Sequence, residues 1–280
     1  MLEYLLFVPF FAGILAFILP MKINRLLLVG TGTWNLGFSI YVWIARPEAF
    51  FNQYFKLSPE GLLVLVVISF LFFIVSLYSI SYLEITTLSN KSVFTGSMLL
   101  FLATMSMATI SDNIIVFWIA IEATTLASAP LILLHKTKES LEATWKYVLI
   151  CSVGIALALL GSVLMTISVD IAGIDVSLTF SELTNIANQL DKTWLKAGFV
   201  FVLIGYGTKM GLAPMHTWLP DAHSEAPSPA SALLSGVLLN CAYLGILKTS
   251  GILFSADMGE FTGNVLIAFG LASVIASATF

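Results

Sequence analysis

The residue types with the most chemical potential lie together, in Gly205-Tyr206-Gly207-Thr208-Lys209-Met210-Gly211-Leu212-Ala213-Pro214 and the following Met215-His216-Thr217-Trp218-Leu219-Pro220-Asp221-Ala222-His223. A lysine sits about a dozen residues into an apolar run, which glycine and proline then break. A bare ammonium in hydrocarbon is costly, and non-helical backbone at membrane depth survives only against protein or water. Such a lysine beside a broken helix suggests an ion path. Three more polar residues lie inside apolar runs: Glu122, Lys146 and Asn240. His216 and His223 follow the break, where imidazole could load protons from water near neutral pH; surface loop histidines are the other reading.

The elements that must position these groups are membrane spans. The chain has 280 residues, of which 59% are hydrophobic and only 10% charged, with a mean hydropathy of +0.99, far outside the soluble globular range. The expected fold class is an all-α, polytopic membrane protein with nine transmembrane helices, the seventh discontinuous. Apolar runs of roughly 18 residues or more fall near 4–20, 25–45, 61–83, 93–111, 113–134, 143–168, 197–213, 229–250 and 262–280. Glu3 precedes the first run, with no basic segment ahead of it, so that run reads as a retained helix and not a signal peptide. The Lys/Arg count ties between the two sides and gives no orientation; an excess of acids leans the side carrying Glu48, Glu60, Asp170, Asp175 and Glu182 outward. Lys248 falls at a span end on that same side. No nucleotide fingerprint, CxxC pair or HExxH is present, and Cys151 and Cys241 lie inside spans, so neither a metal nor a redox cofactor is expected.

Depth follows from a rise of about 1.5 Å per residue. Glu122 lies roughly 15 Å and Lys209 roughly 18 Å below the acid-rich side. Asn240 is also central, entering from the other side, so the three could form a lateral row. Burial lowers a lysine's pKa and raises a glutamate's, and an opposite charge nearby reverses both, so a Glu/Lys pair makes a tunable proton site. A static ion pair fixing helix packing is the competing reading. Lys146, roughly 7 Å from a mouth and four residues after Glu142, fits a snorkelling ion-paired lysine as well as a relay. Asn240 suits an interhelical hydrogen bond better than a carrier, because an amide does not titrate. Asp112 reads as a helix cap. Thr179-x-x-Glu182 followed by Leu183, Ile186, Leu190 and Trp194 predicts an amphipathic helix, lying at the interface or packing on a partner subunit.

Three segments carry a family resemblance: Ser111-Asp112-Asn113-Ile114-Ile115-Val116-Phe117-Trp118-Ile119-Ala120-Ile121-Glu122; Glu142-Ala143-Thr144-Trp145-Lys146-Tyr147; and the block from Thr208 through His223 to Leu234. In order and spacing they resemble the antiporter-like, proton-conducting membrane subunits of respiratory complex I, group 4 membrane-bound hydrogenases and Mrp-type sodium/proton antiporters. Ser235-Gly236-Val237-Leu238-Leu239-Asn240-Cys241-Ala242 resembles component F of hydrogenase-4-type complexes. The resemblance implies that Glu122 is the family's span-5 glutamate, Lys209 the lysine before the break, Lys146 the span-6 lysine, and His216 and His223 its loop histidines. It also implies two inverted five-helix repeats within about fourteen spans. Asn240 stands where many relatives have Lys or His, and the second repeat is missing beyond its start.

The organisation expected is therefore an N-terminal group of spans over 1–110, an antiporter-like core over 111–250 and the start of a second repeat over 251–280. Either the ninth span ends flush at Phe280 or the chain belongs to a longer design. The function implied is proton translocation through a Glu/Lys relay, in a bacterial or archaeal cell membrane and beside other integral membrane subunits of a redox complex. The chain itself would carry no redox site, cofactor or metal, and would bind no nucleic acid. A sodium-transporting Mrp-type subunit and a non-conducting membrane scaffold are the alternatives.

Overall fold

A computed structural model of the chain describes residues 1–49, 51, 53–86 and 90–278. Among them the regular structure is helical: α1 (Tyr4–Ala16), α2 (Met21–Ala45), α3 (Pro59–Ile85), α4 (Lys91–Ile110), α5 (Ile114–Ile132), α6 (Lys138–Ala172), α7 (Phe180–Ile186), α8 (Lys192–Met210), α9 (Trp218–Glu225), α10 (Ser228–Leu233), α11 (Leu239–Ser255) and α12 (Gly259–Ser277). A π-helical turn, Leu234–Leu238, joins α10 to α11, making one helical run from Ser228 to Ser255.

Seven of these helical runs are long and apolar enough to cross a membrane, and the chain is a multi-pass membrane protein. The other two expected spans are α1, with 13 residues, and α8, whose 19 residues include Lys192, Lys196 and Lys209. The long apolar helices leave the usual signature of lipid as solvent, with Leu63, Leu126, Val153 and Leu271 exposed on their outer faces.

Between membrane helices hydrophobicity gives little drive, so close packing must supply it. The most extensive contact, α6 on α8, shows how. Gly154 and Gly161 on α6, and Gly198 and Gly205 on α8, are each seven residues apart, two turns on one face. A Cβ at Gly161 would fall 2.6 Å from the Gly198 carbonyl oxygen, and one at Gly205 2.5 Å from the Ala158 nitrogen. Only glycine lets the two backbones approach so closely. That seam holds α8, and therefore Lys209, against the rest of the bundle.

At the acid-rich end, Ser111–Asn113 is wedged between two other segments. Lys56 N–H donates to the Ile110 carbonyl at 2.8 Å, Phe180 N–H to the Asp112 carbonyl at 2.8 Å, and Ile114 N–H to the Leu178 carbonyl at 3.0 Å. Asp112 is not the cap expected; Asn113 is, its side-chain oxygen accepting the N–H groups of Ile115 and Val116 at 3.0 and 3.2 Å. The amphipathic helix predicted after Thr179 is α7, capped by Thr179 Oγ1 accepting the Glu182 N–H at 3.1 Å. It packs on α11 with Phe180 and Leu183 buried, whereas Trp194 belongs to the first turn of α8.

Candidate functional site

Lys209 occupies the last turn of α8. The helix stops because Gly211 takes a left-handed conformation, φ 80°, its N–H returning to the Gly207 and Thr208 carbonyls, while the Leu212 N–H bonds Gly207 at 2.8 Å. The break foreseen near Gly207–Pro214 is thus present, and the chain becomes helical again at Trp218. The last carbonyls of a helix lack intrahelical partners; here the buried Trp218 indole donates to the Thr208 carbonyl at 2.8 Å.

The Lys209 side chain is fully buried, 0% exposed. Its Nζ donates to Thr125 Oγ1 at 2.8 Å and to Tyr147 Oη at 2.6 Å, and lies 4.5 Å from the centroid of the Tyr147 ring. Tyr147 Oη also shares a 2.6 Å hydrogen bond with Ser128 Oγ. The pocket is built from α5, which supplies Thr125 and Ser128 one turn apart, and α6, which supplies Tyr147. The Tyr147 and Trp218 rings, 5.0 Å between centroids, lie together beside it.

Glu122 is on the same face of α5, one turn before Thr125. Its Oε1 accepts from Ser152 Oγ at 2.7 Å, and its Oε2 is buried without a hydrogen-bond partner among the described residues. Glu122 and Lys209 form no ion pair within 4.0 Å. Lys209 meets α5 at Thr125, three residues or about 4.5 Å beyond Glu122 along that helix, and the neutral hydroxyls take the bonds that a carboxylate was expected to take.

Lys146 is 45% exposed and faces away from this pocket, bonded to Glu142 Oε1 at 2.7 Å and Asp221 Oδ2 at 2.8 Å. The i,i+4 pair is as its spacing implied; Asp221, which ties α6 to α9, was not foreseen. Asn240 is exposed, its Nδ2 donating to the Gly236 carbonyl of its own helix at 2.8 Å. The row of Glu122, Lys209 and Asn240 is therefore not assembled. The face that α11 turns inward carries Cys241, Ala242, Leu244 and Gly245, and the π turn preceding it shifts the facing of the residues after it relative to a regular helix. His216 is half-buried in the segment between α8 and α9. His223 sits on α9, not on a loop, with Nδ1 2.9 Å from Ser231 Oγ, and burial pushes its imidazole below the usual value. Sequence reasoning missed Thr125, Ser128, Tyr147 and Ser152. The first two follow Glu122 at intervals of three, the spacing of one helix face.

The sequence and the fold have counterparts in known proteins. Residues 111–280 match the family described as NADH:quinone oxidoreductase/Mrp antiporter, TM. The hydrogenase-4 component F homolog of Methylacidiphilum infernorum is 40% identical over 237 residues, 81% of this chain and 49% of that protein. Hydrogenase-4 component B of Escherichia coli is 28% identical over 86% of this chain and 35% of its own length. Among solved structures, a chain of the membrane-bound sulfane sulfur reductase, an archaeal respiratory membrane complex, has a TM-score of 0.82 at 19% identity, covering 96% of this chain and 56% of that one. A chain of the Mrp complex from Dietzia gives 0.76 at 18% identity, covering 91% and 49%. The two structural likenesses speak for the fold, and the chain spans about half the length of the component F homolog and about a third of component B. From the family match and the component F relationship together, the chain belongs to the NADH:quinone oxidoreductase/Mrp antiporter family of membrane subunits.

Proposed function

We propose that the chain carries the proton-binding half-site of an ion-translocating membrane subunit, with Lys209 as the group that takes up and releases the proton. One observation carries this reading: a fully buried lysine at the end of an interrupted helix is held by hydroxyl groups and not by a carboxylate. A carboxylate in contact would lock the ammonium in place. A hydroxyl serves both states, accepting from the ammonium and, after rotation, donating to the neutral amine. When Lys209 releases its proton, Tyr147 can turn its O–H toward the amine while Ser128 takes over as donor to Tyr147, so no buried polar atom in this chain of bonds is orphaned. Glu122, held by Ser152 on α6, stands one turn from Thr125 on α5, so any movement of α5 against α8 changes the separation of carboxylate and ammonium.

The family membership supports a place among other integral membrane subunits of a complex resembling complex I or a group 4 hydrogenase, the hydrogenase-4 component F relationship favouring the second. The sources of the relatives support a bacterial or archaeal cell membrane. Proton transport is the reading preferred over sodium, because no carboxylate or carbonyl cage surrounds the Lys209 pocket among the residues that bond it. Lys209→Ala in the assembled complex tests it. Proton uptake into vesicles, driven by turnover of the complex, should be lost while the subunit still assembles. Normal uptake by assembled Lys209→Ala complexes would leave the chain a scaffold, the role that the outward-facing Asn240 favours.

A further inference from the structure

Between α1 and α2, on the outer surface of the bundle, lies an apolar slot of about 330 Å³, lined by Val8 on α1 and by Ile23, Leu26, Leu27, Gly30, Thr31 and Trp34 on α2. The slot exists because α1 is drawn onto another helix. α1 packs far more extensively on α4 than on α2, and glycines let it come close: a Cβ at Gly13 would fall 2.9 Å from Leu100 Cγ, and one at Gly96 of α4 2.7 Å from the ring of Phe17, at the end of α1. Along α2 the gap stays open. A Cβ at Gly30 would meet nothing within 4 Å, and Leu26, one turn earlier, is 75% exposed. Aromatic rings shut the far end, with Trp34 stacked on Phe38 at 5.0 Å between centroids and Tyr4 edge-on to Phe38 at 6.5 Å.

The near end is cationic. Lys22 stands one turn before Leu26 on the same face of α2; it is exposed and has no hydrogen-bond or ion-pair partner among the described residues. Arg25 is paired with Glu84 of α3 and keeps a buried Nε without a partner among the described residues. The start of α4 lies alongside, Asn24 Nδ2 donating to Ser92 Oγ at 3.3 Å, and contributes Lys91, whose Nζ donates to the Leu83 carbonyl. Three cations thus stand against one carboxylate at these helix ends, and Lys22 is left for a partner outside the chain. From Lys22 to Trp34 is about 18 Å along α2, close to the roughly 15 Å that is half of a hydrocarbon core. The slot runs the depth of one leaflet, from headgroup level to midplane.

We propose that this slot is a binding site for an anionic phospholipid, one acyl chain lying between α1 and α2 and the headgroup phosphate on Lys22. Apolar lining alone selects nothing, since lipid tails are as apolar as leucine. Selection comes from the charge at the mouth, where an anionic headgroup gains and a zwitterionic one does not. A long lysine side chain at a helix end reaches headgroup level by snorkelling. A transmembrane helix of a partner is the poorer fit, because it crosses both leaflets and the rings of Trp34, Phe38 and Tyr4 close the slot halfway. The site is independent of the relay reading of Lys209.

Assembled complexes in vesicles test it, using phosphatidylglycerol with a photoactivatable acyl chain and, in parallel, phosphatidylcholine with the same chain; labelled residues are read by peptide mass spectrometry. Labelling of the Leu26–Trp34 stretch by phosphatidylglycerol should exceed that by phosphatidylcholine about fivefold, the scale of one lysine near an anionic headgroup. Lys22→Gln should bring the two lipids level, and a preference that survives it would remove the phosphate from Lys22 and overturn the site. Gly30→Leu places a side chain in open space, so the subunit should assemble, and labelling at Trp34 should fall several-fold while the rest of the chain is labelled as before. Unchanged labelling at Trp34 would put the chain outside the slot. Equal labelling of the parent by both lipids would reduce the slot to ordinary surrounding lipid, and no labelling there would mean that a partner's helix covers it; either result overturns the proposal.

Discussion

Two lysines on facing helices have opposite fates. Lys146 sits in a surface ion pair with two carboxylates, Glu142 and Asp221, each within 2.8 Å. Lys209 is enclosed, and its partners are two neutral hydroxyls. Tyr147, which holds Lys209, is the residue next to Lys146, and a helix turns about 100° between neighbours, so α6 presents one to the mouth and the other to the pocket. Where water is available, opposite charges cost little to bring together and the charge stays put. Inside, the lysine is bonded by hydroxyls, groups that can accept from an ammonium or donate to an amine. A titratable residue's role is thus set by what it touches as much as by how deep it lies.

Four changes would break or sharpen that contrast. The largest effect is expected from Lys209→Arg, which keeps the charge and loses the ability to release it; proton uptake by assembled complexes should vanish, and near-normal uptake would mean that charge alone suffices. Tyr147→Phe comes next. It removes one bond to a buried ammonium, a loss of about 1.5–3 kcal/mol, and leaves Ser128 without its link to Lys209; thermal unfolding should move down and uptake slow strongly, whereas unchanged uptake would remove Tyr147 from the relay.

Lys146→Ala should matter much less. It loosens the tie between α6 and α9 at an exposed site, and uptake should remain within about twofold of the parent, in keeping with the small worth of surface ion pairs. Loss comparable to that of Lys209→Arg would show that the two lysines work as one. The smallest effect concerns pH. His223 has a folded-state pKa below its ordinary 6.5, through burial, so its neutral form fits the fold. Its contribution to stability is intact above that value and is lost as pH falls from about 6.5 through the lower folded-state value. The thermal midpoint of the parent should drop over that window more than that of His223→Gln; identical profiles would place the acid sensitivity elsewhere.

Much of the site was legible because its signals are chemical and local. Glycine and proline around Lys209 announce a helix end wherever the helix goes, and Glu122 stands out because carboxylates are rare in apolar runs. The partners of Lys209 were not legible. Threonine, serine and tyrosine occur throughout membrane helices, and nothing in their types marks Thr125 or Tyr147 until α5, α6 and α8 are set against one another. The burial of Lys248 at its span end was not legible for a related reason, since the Ser111–Asn113 segment and α7, distant in sequence, pack against α11 there.

The amino-acid sequence by itself determined that the chain is a bundle of membrane helices, that one helix is interrupted after Lys209, and which family the chain resembles, because apolar length, backbone stereochemistry and motif order are properties of the chain read locally. Only the tertiary structure decided which groups share a pocket. It set Lys209 on Thr125 and Tyr147 and not on Glu122, turned Asn240 outward and drew Lys248 in. Each of these follows from helix register and rotation, where a shift of one residue turns a side chain by about 100°. Such a shift comes from a glycine seam or a π turn, whose consequence appears only when the neighbouring helix is in place.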